Sequence, residues 1–265
     1  TVLRLIEPTD GEIIFDGENI LKYNKKRIRE MRKEMQIIFQ DPYASLNPRM
    51  TVSQTIEEPI IYNKLINNKT DVKKRVKKLM DTVGLAQRLA NSYPHELDGG
   101  RRQRIGVARA LSLNPKFIVC DEPVSALDVS IQAQILNLMM DLQDELGLTY
   151  MFITHDLSVV KHISNEIAVM YLGQLVEKAP SDELFENPIH PYTKALLSAI
   201  PIPNIDIKRE RAIIKGEVTS PINPSPGCRF ATRCNYFKPE CLNKDIELTE
   251  INPKHFIACK VFGNI

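Results

Sequence analysis

A short apolar segment that ends in two acidic residues constrains the fold of this chain more than any other feature. Residues 117–120 (FIVC) follow a break at Asn114-Pro115 and run into Asp121-Glu122. Four consecutive apolar residues of this kind are typical of a strand that is buried on both faces of a parallel sheet. Packing gives no reason for two carboxylates where such a strand stops, whereas open α/β sheets bind ligands at the carboxyl ends of their strands. The segment therefore predicts an α/β fold with a ligand site beside Asp121 and Glu122.

The residues on either side of this strand favour a functional site over a simple exit to solvent. Before it, Gly99-Gly100 opens an Arg-rich helix with small residues on one face, and after it comes Ser125-Ala126-Leu127-Asp128. An Asp at a strand end can hold Mg²⁺, and the following Glu can orient or deprotonate a water molecule. Two further polar side chains follow apolar runs in the same way, namely Gln40 and His155.

Taken together, these segments resemble the motifs of the ATP-binding-cassette ATPases. Residues 92–128 resemble the signature helix, the Walker B strand and the D-loop, residues 153–156 (ITHD) the switch-histidine loop, and residues 38–42 (IFQDP) the Q-loop. The segments 41–52, 129–143 and 190–201 resemble the ATPase subunits of bacterial dipeptide and oligopeptide importers, with 41–52 closer to the second of the two subunit types. The resemblance runs essentially from end to end.

The resemblance implies the fold and its division. We expect an α/β, P-loop NTPase-like core with a mainly parallel sheet at residues 1–40 and 113–205. A helical subdomain would be inserted at 41–112, with breaks at Pro59, Gly84 and Pro94, and a small irregular Cys-rich extension would occupy 206–265. The run at 166–178 predicts two antiparallel edge strands.

The resemblance also implies the chemistry, with ATP and Mg²⁺ as cofactors. In this interpretation Asp121 holds Mg²⁺ indirectly, Glu122 is the general base, and Gln40 and His155 position water and the γ-phosphate. Asp128 would couple two sites across a dimer. The signature residues would face the nucleotide of the partner subunit; they are Asp98, Gly99, Gly100 and Arg101.

The signature departs from the family pattern, in which Leu-Ser-Gly-Gly-Gln is usual and a Ser stands where Asp98 is found. A carboxylate only accepts hydrogen bonds and repels phosphate. Two like unit charges about 4 Å apart cost roughly 4 kcal/mol at an effective dielectric constant of about 20. Asp is also a favoured helix N-cap. We therefore predict that Asp98 caps the helix while its contact with a γ-phosphate is impaired.

The start of the chain lacks a motif that the resemblance requires. A phosphate loop of the form G-x-x-x-x-G-K-[S/T] would precede the hairpin predicted around Asp16-Gly17. No Gly-Lys pair occurs anywhere in the 265 residues. We therefore expect an N-terminally truncated subunit that is inactive as written.

Four cysteines lie close together near the end of the chain: Cys228, Cys234, Cys241 and Cys259. Their spacing does not fit a zinc ribbon, which needs tight pairs, and free thiols, zinc and an iron–sulfur cluster all remain open. The resemblance to importer ATPases implies a four-iron four-sulfur cluster, with Zn²⁺ as the alternative. Cys120 lies within the predicted strand and is expected to be a core residue.

Charge and hydropathy limit the partners. A net charge of +2 gives no nucleic-acid signal, and the basic run at 72–78 has the valine spacing of a helix with a solvated face. No apolar stretch reaches the roughly 18–20 residues of a membrane span. The resemblance implies a peripheral location on the cytoplasmic face of the membrane. Its partners would be a second ATPase subunit, two membrane-spanning permease subunits and, indirectly, an extracytoplasmic peptide-binding protein.

Three other functions compete with peptide import. A truncated or degenerate subunit could dock on a transporter without hydrolysing ATP, which the missing phosphate loop and Asp98 favour. A nickel importer would look nearly the same in sequence. A soluble cassette ATPase of repair or translation fits poorly, because such proteins usually carry two cassettes or a coiled-coil insertion.

Overall fold

The computed structural model describes residues 1–263 except 201–213, 219, 221, 225 and 245. The chain divides into two compact units, Thr1–His155 and Asp156–Ile265. The predicted boundary between residues 205 and 206 lies outside the described residues, and the predicted division into core, helical subdomain and extension stays a prediction. Within the described residues, no helix combines the length and apolarity that a membrane span needs.

The first unit begins with a small hairpin, in which β1 (Ile14–Phe15) pairs antiparallel with β2 (Glu18–Asn19). Its turn has positive φ angles at Asp16 and Gly17, as the Asp-Gly sequence predicts. Helix α1 (Lys25–Glu34) follows and begins at Asn24, whose side chain accepts a hydrogen bond from the Arg27 N–H at 2.9 Å. The basic segment before Met35 was not predicted to be a helix.

A three-stranded parallel sheet organises the first unit and confirms the predicted fold class. Its strands are β3 (Met35–Ile38), β4 (Phe117–Asp121) and β5 (Thr149–Ile153), in the order β3-β4-β5. Cys120 is fully buried in the central strand and lies opposite Ile38 and Phe152. Because parallel strands in register end at one edge of the sheet, the residues that follow them are brought together there.

Three helices lie between β3 and β4: α2 (Val52–Tyr62), α3 (Lys69–Thr82) and α4 (Gly99–Leu111). Polar N-caps start all three, and Thr51 forms a full capping box with Gln54. Between α3 and α4, Gln87–Asn91 forms a 3₁₀ turn. The predicted break at Pro59 was wrong, because α2 continues through it to Tyr62 with Ile56 and Ile60 fully buried on either side.

Helix α5 (Val129–Leu146) connects β4 to β5 in the first unit. It buries Ile135, Met139 and Leu142 and ends at Gly147, which adopts the left-handed conformation with φ 65°.

The second unit contains an antiparallel sheet flanked by short helices. In chain order its elements are α6 (Leu157–Ile163), β6 (Glu166–Tyr171), β7 (Gln174–Pro180), α7 (Ser181–Glu186), α8 (Pro191–Ser198), β8 (Thr249–Asn252) and β9 (His255–Ile257). The strand order is β6-β7-β9-β8. The prediction that β7 is an edge strand was therefore wrong, since β9, far along the chain, pairs with its other side.

Candidate functional site

The carboxyl ends of β3, β4 and β5 bring together the polar residues that the sequence singled out. Gln40 stands two residues beyond the end of β3, Asp121 is the last residue of β4, and His155 stands two residues beyond the end of β5. Glu122 follows Asp121, and its backbone N–H donates to the Ile153 carbonyl at 2.9 Å. The sheet therefore fixes where Glu122 leaves the strand.

Glu122 lies at the centre of a hydrogen-bonded trio. Its Oε1 is 3.1 Å from Nδ1 of His155, and its Oε2 accepts from Nε2 of Gln40 at 2.9 Å. The hydrogen bond with His155 is the main cause of the lowered pKa of Glu122. The carboxylate is thus held in its ionised form, with both oxygens engaged.

The backbone of Glu122 has φ 44°, in the left-handed region that non-glycine residues seldom adopt. Such conformations cost free energy and are concentrated at functional sites. Here the conformation turns the chain sharply at the end of β4, so that the Glu122 side chain faces both neighbouring strand ends.

Asp121 is half-buried beside this trio but does not join it. Among the described residues, no hydrogen bond or ion pair engages its carboxylate. An unengaged carboxylate at a strand end suits Mg²⁺, which proteins commonly hold with one or two carboxylates while substrate phosphates and water complete the shell. The donor set therefore fits the predicted magnesium–nucleotide site, in which Asp121 would hold Mg²⁺ indirectly.

The signature residues lie at the start of α4. Asp98 is the N-cap, as predicted: its Oδ1 accepts from the Arg101 N–H at 2.8 Å, and its Oδ2 is 3.3 Å from Nη1 of Arg101. A Cβ at Gly100 would lie 2.6 Å from Cγ2 of Ile131, and one at Gly99 would lie 3.0 Å from Cδ2 of Leu127. The glycine pair therefore allows α4 to approach the segment that follows β4.

Asp128 stands at the N-cap position of α5, but its side chain makes no capping hydrogen bond. A cavity of about 320 Å³ adjoins the N-terminal end of α4, where the signature residues lie. Its lining includes Asp98, Gly100, Arg101, Arg104, Ile131 and Gln134. The structure thus places the signature residues on a concave surface of the first unit, and it shows no contact between them and the Glu122 trio.

The four C-terminal cysteines lie near one another but do not support the predicted cluster or zinc site. Within the described residues, no group of three or more His, Cys, Asp or Glu side chains is arranged to hold a metal ion. Cys228 and Cys234 pack against the hydrophobic core of the second unit. Burial, reinforced by the neighbouring thiols, raises the pKa of Cys228 to about 11. Cys120, in contrast, is a buried core residue of the first unit, as predicted.

Two arginines that the sequence analysis did not assign hold the segment after Gln40 against α4. Arg109 donates to the Ser45 carbonyl at 2.6 Å and lies over the Phe39 ring, and Arg102 lies 5.0 Å from the centre of the Tyr43 ring. Their spacing of seven residues on one helix was a signal that both face the same side.

Comparison with known proteins found two matching family models and similar relatives. Residues 1–125 match the family model described as ABC transporter, and residues 176–241 match the one described as Oligopeptide/dipeptide transporter, C-terminal region. The chain is 50% identical over 266 residues to the oligopeptide transport ATP-binding protein AppF of Bacillus subtilis, covering 99% of this chain and 80% of AppF. It is 52% identical over 260 residues to the oligopeptide transport ATP-binding protein OppF of Salmonella typhimurium, covering 97% of this chain and 78% of OppF.

Solved structures show the same fold. The structure of cbiO1 from Clostridium perfringens, part of the ABC transporter complex cbiONQ, aligns with a TM-score of 0.64 at 28% identity, over 70% of this chain and 72% of cbiO1. The ATP-binding cassette MJ0796, in a dimeric post-hydrolysis state bound to ADP and Pi, aligns with a TM-score of 0.60 at 28% identity, over 67% of this chain and 76% of MJ0796.

Proposed function

Because the chain belongs to the ABC transporter ATPases of the oligopeptide and dipeptide importers, we propose that it is built to hydrolyse ATP at the interface of two ATPase subunits and so to energise peptide import. The observation that carries the proposal is the trio of Gln40, Glu122 and His155 at the ends of three adjacent strands. A carboxylate held ionised by two donors, next to an unengaged Asp, is the arrangement that water attack on a phosphate needs.

In the proposed mechanism Glu122 orients the attacking water and accepts its proton. His155 holds Glu122 through the 3.1 Å contact at Oε1, and Gln40 occupies Oε2 until water replaces it there. Asp121 would hold Mg²⁺, which when bound neutralises charge on the phosphate oxygens. No step of this mechanism involves the C-terminal cysteines, which lie in the second unit.

We further propose the partners that the family implies. The signature residues from Asp98 to Arg101 would face the nucleotide of a second ATPase subunit, and Asp128 would couple the two sites. Residues 41–112 would act as the helical subdomain beside two permease subunits, on the cytoplasmic face of the membrane. The exposed position of Asp98 and Arg101 on a concave surface supports this assignment.

The experiment is an ATPase assay on the chain joined at Thr1 to a segment that carries a phosphate-loop motif. We expect Glu122→Gln to lower kcat at least 100-fold with little change in nucleotide affinity, because the amide accepts no proton. Glu145→Gln, an isosteric change at an exposed position on α5, is the matched control and should leave kcat unchanged. Equal rates for wild type and Glu122→Gln would remove Glu122 from the chemistry.

A second function, that of a non-catalytic docking subunit, is favoured by one observation in the sequence. Asp98 places a carboxylate where the family pattern has a hydroxyl. Titration with ATP and Mg²⁺ of the chain joined at Thr1 to a phosphate-loop segment distinguishes the two functions, since a docking subunit would not bind nucleotide.

A further inference from the structure

The corner between α2 and α3 combines exposed apolar side chains with a dense set of lysines. We call it the basic corner and define it as residues 61–78. Its exposed apolar members are Ile61, Tyr62 and Leu65. Its exposed lysines are Lys64, Lys69, Lys73, Lys74, Lys77 and Lys78.

The net charge of the basic corner is more positive than that of the whole chain. Six lysines and Arg75 stand against a single acid, Asp71, which gives the corner a net charge of +6, whereas the whole chain carries +2. Only Lys74 forms an ion pair with another described residue, to Asp71 at 3.4 Å. The other five lysines present unneutralised ammonium groups to solvent.

The apolar side chains at this corner are exposed because α2 and α3 turn their packed faces elsewhere. Helix α2 buries Ile56 and Ile60, and α3 buries Val72, Val76, Leu79 and Met80. Tyr62 is 81% exposed at the end of α2, beside Ile61 at 55% and Leu65 at 45%. A Tyr with aliphatic neighbours and flanking lysines is the composition of a membrane-interface anchor.

Helix α1 provides a comparison within the same unit. It is also strongly basic, but Lys33 is paired with Glu30 at 2.7 Å, Arg27 with Glu18 at 3.5 Å, and Arg32 donates to backbone carbonyls. Its apolar residues Ile28 and Met31 are half-buried and buried. Basic charge alone therefore does not distinguish the basic corner from α1. The combination of unpaired lysines with exposed apolar side chains does.

We propose that the basic corner docks directly on an anionic lipid membrane. Ile61, Tyr62 and Leu65 enter the headgroup region, and the lysines beside them attract acidic lipids. Positive charge complements the negative surface potential of such membranes, each lysine near the surface strengthening binding about fivefold. This contact is independent of nucleotide and of any permease subunit, so it is tested apart from the ATPase.

The test is sedimentation of the purified chain with two kinds of vesicle. One kind is pure phosphatidylcholine, and the other contains about 30% of the anionic lipid phosphatidylglycerol. We expect binding to the anionic vesicles only, weakened by salt. The triple variant Lys69→Gln, Lys73→Gln, Lys77→Gln should bind more than tenfold more weakly. The matched control on α1 and the turn before it, Lys22→Gln, Lys25→Gln, Lys26→Gln, should bind as wild type. Equal losses in both variants, or no binding by the wild type, would overturn the proposal.

A fluorescence experiment tests insertion of the apolar residues. The chain contains no Trp, so Tyr62→Trp introduces a single reporter, with Tyr43→Trp as the exposed control in the same unit. We expect a blue shift on anionic vesicles for Tyr62→Trp alone. An unshifted spectrum contradicts insertion. If duplex DNA bound to the same lysines as tightly as the vesicles do, the partner of the basic corner would be a nucleic acid and not a membrane.

Discussion

Asp98 illustrates at the residue scale how one side chain can serve structure at the expense of chemistry. Both of its oxygens are engaged by Arg101, one by the backbone N–H and one by the guanidinium. The cap satisfies an otherwise unpaired backbone donor at the start of α4. The same carboxylate has no proton to donate to a phosphate.

Substitutions at Asp98 should separate these two roles. We expect Asp98→Ser to keep the cap and leave the free energy of unfolding within about 0.5 kcal/mol, whereas Asp98→Ala should lower it by about 1 kcal/mol. In the chain joined at Thr1 to a phosphate-loop segment, Asp98→Ser with Arg101→Gln should raise the ATPase rate. Urea denaturation and the ATPase assay measure the two effects, and an unchanged rate would contradict an impaired phosphate contact.

His190 makes the stability of the second unit depend on pH. It is buried at the N-cap of α8, where Nδ1 accepts from the Tyr192 N–H at 3.1 Å and its backbone N–H donates to Glu177. Burial lowers the pKa of His190 from 6.5 to about 4. Between these values the unfolded chain binds more protons than the folded chain, so stability falls as the pH falls.

We expect His190→Asn to weaken this pH dependence. The wild type should lose about 2 kcal/mol more than the variant between pH 6.5 and about pH 5, since each unit of pKa shift corresponds to about 1.4 kcal/mol. Asn is also a good N-cap, so the helix start is retained. Urea denaturation at a series of pH values measures the difference, and parallel curves for the two proteins would contradict the assignment.

At the scale of elements, the sequence predicted what depends on neighbouring residues in the chain. The strand at 117–120, the helix at 129–146 with its Gly147 end, and the polar residues at the three strand ends are all read from local patterns. Pro59 and the helix before Met35 were missed, because tertiary packing decides both. Ile56 and Ile60 keep α2 helical through Pro59, and Met31 buries one side of α1.

Two of the three glycines of α4, Gly100 and Gly106, should respond to substitution with opposite signs. Ala in place of Gly normally stabilises a helix by about 0.5–1 kcal/mol. A Cβ at Gly106 meets nothing within 4 Å, so Gly106→Ala should stabilise by that amount. At Gly100 the Cβ would lie 2.6 Å from Cγ2 of Ile131, so Gly100→Ala should destabilise by about 1–3 kcal/mol.

A double-mutant cycle checks that the cost comes from this contact. Combining Gly100→Ala with Ile131→Ala should recover at least about 1 kcal/mol relative to the sum of the single changes, because the blocking Cγ2 is absent. Additive free energies of unfolding would instead assign the cost to the backbone.

At the scale of the whole molecule, pairing between distant segments could not be predicted from the sequence. Val176 in β7 and Ala258 after β9 are joined by a backbone hydrogen bond of 2.9 Å across more than 80 residues. The segment after residue 201 was predicted to be irregular, because its two final strands are short and lack clear alternation. The resemblance to a family supplied the candidate site, whereas the order β6-β7-β9-β8 required coordinates.

A buried hydrogen-bonded contact between His255 and Glu177 stabilises this long-range pairing. Nε2 of His255 is 2.8 Å from Oε1 of Glu177, with both side chains fully buried, and Nδ1 is 3.3 Å from Oε1 of Glu183. Removing the ring leaves the Glu177 carboxylate buried without this partner. The carboxylate keeps the backbone N–H donors of Ile189 and His190, and losing one hydrogen-bond partner of such a group typically costs about 1.5–3 kcal/mol.

We therefore expect His255→Ala to lower the free energy of unfolding by about that amount, measured by urea denaturation followed by circular dichroism. His162→Ala, at an exposed position on α6, is the matched control and should change it by less than about 0.5 kcal/mol. Glu177→Gln in the His255→Ala background should restore part of the loss, because a neutral amide is less costly to bury than a carboxylate. If the two histidine variants were equally stable, the contact between β7 and β9 would not depend on this pair, and backbone pairing alone would hold the C-terminal strands to the sheet.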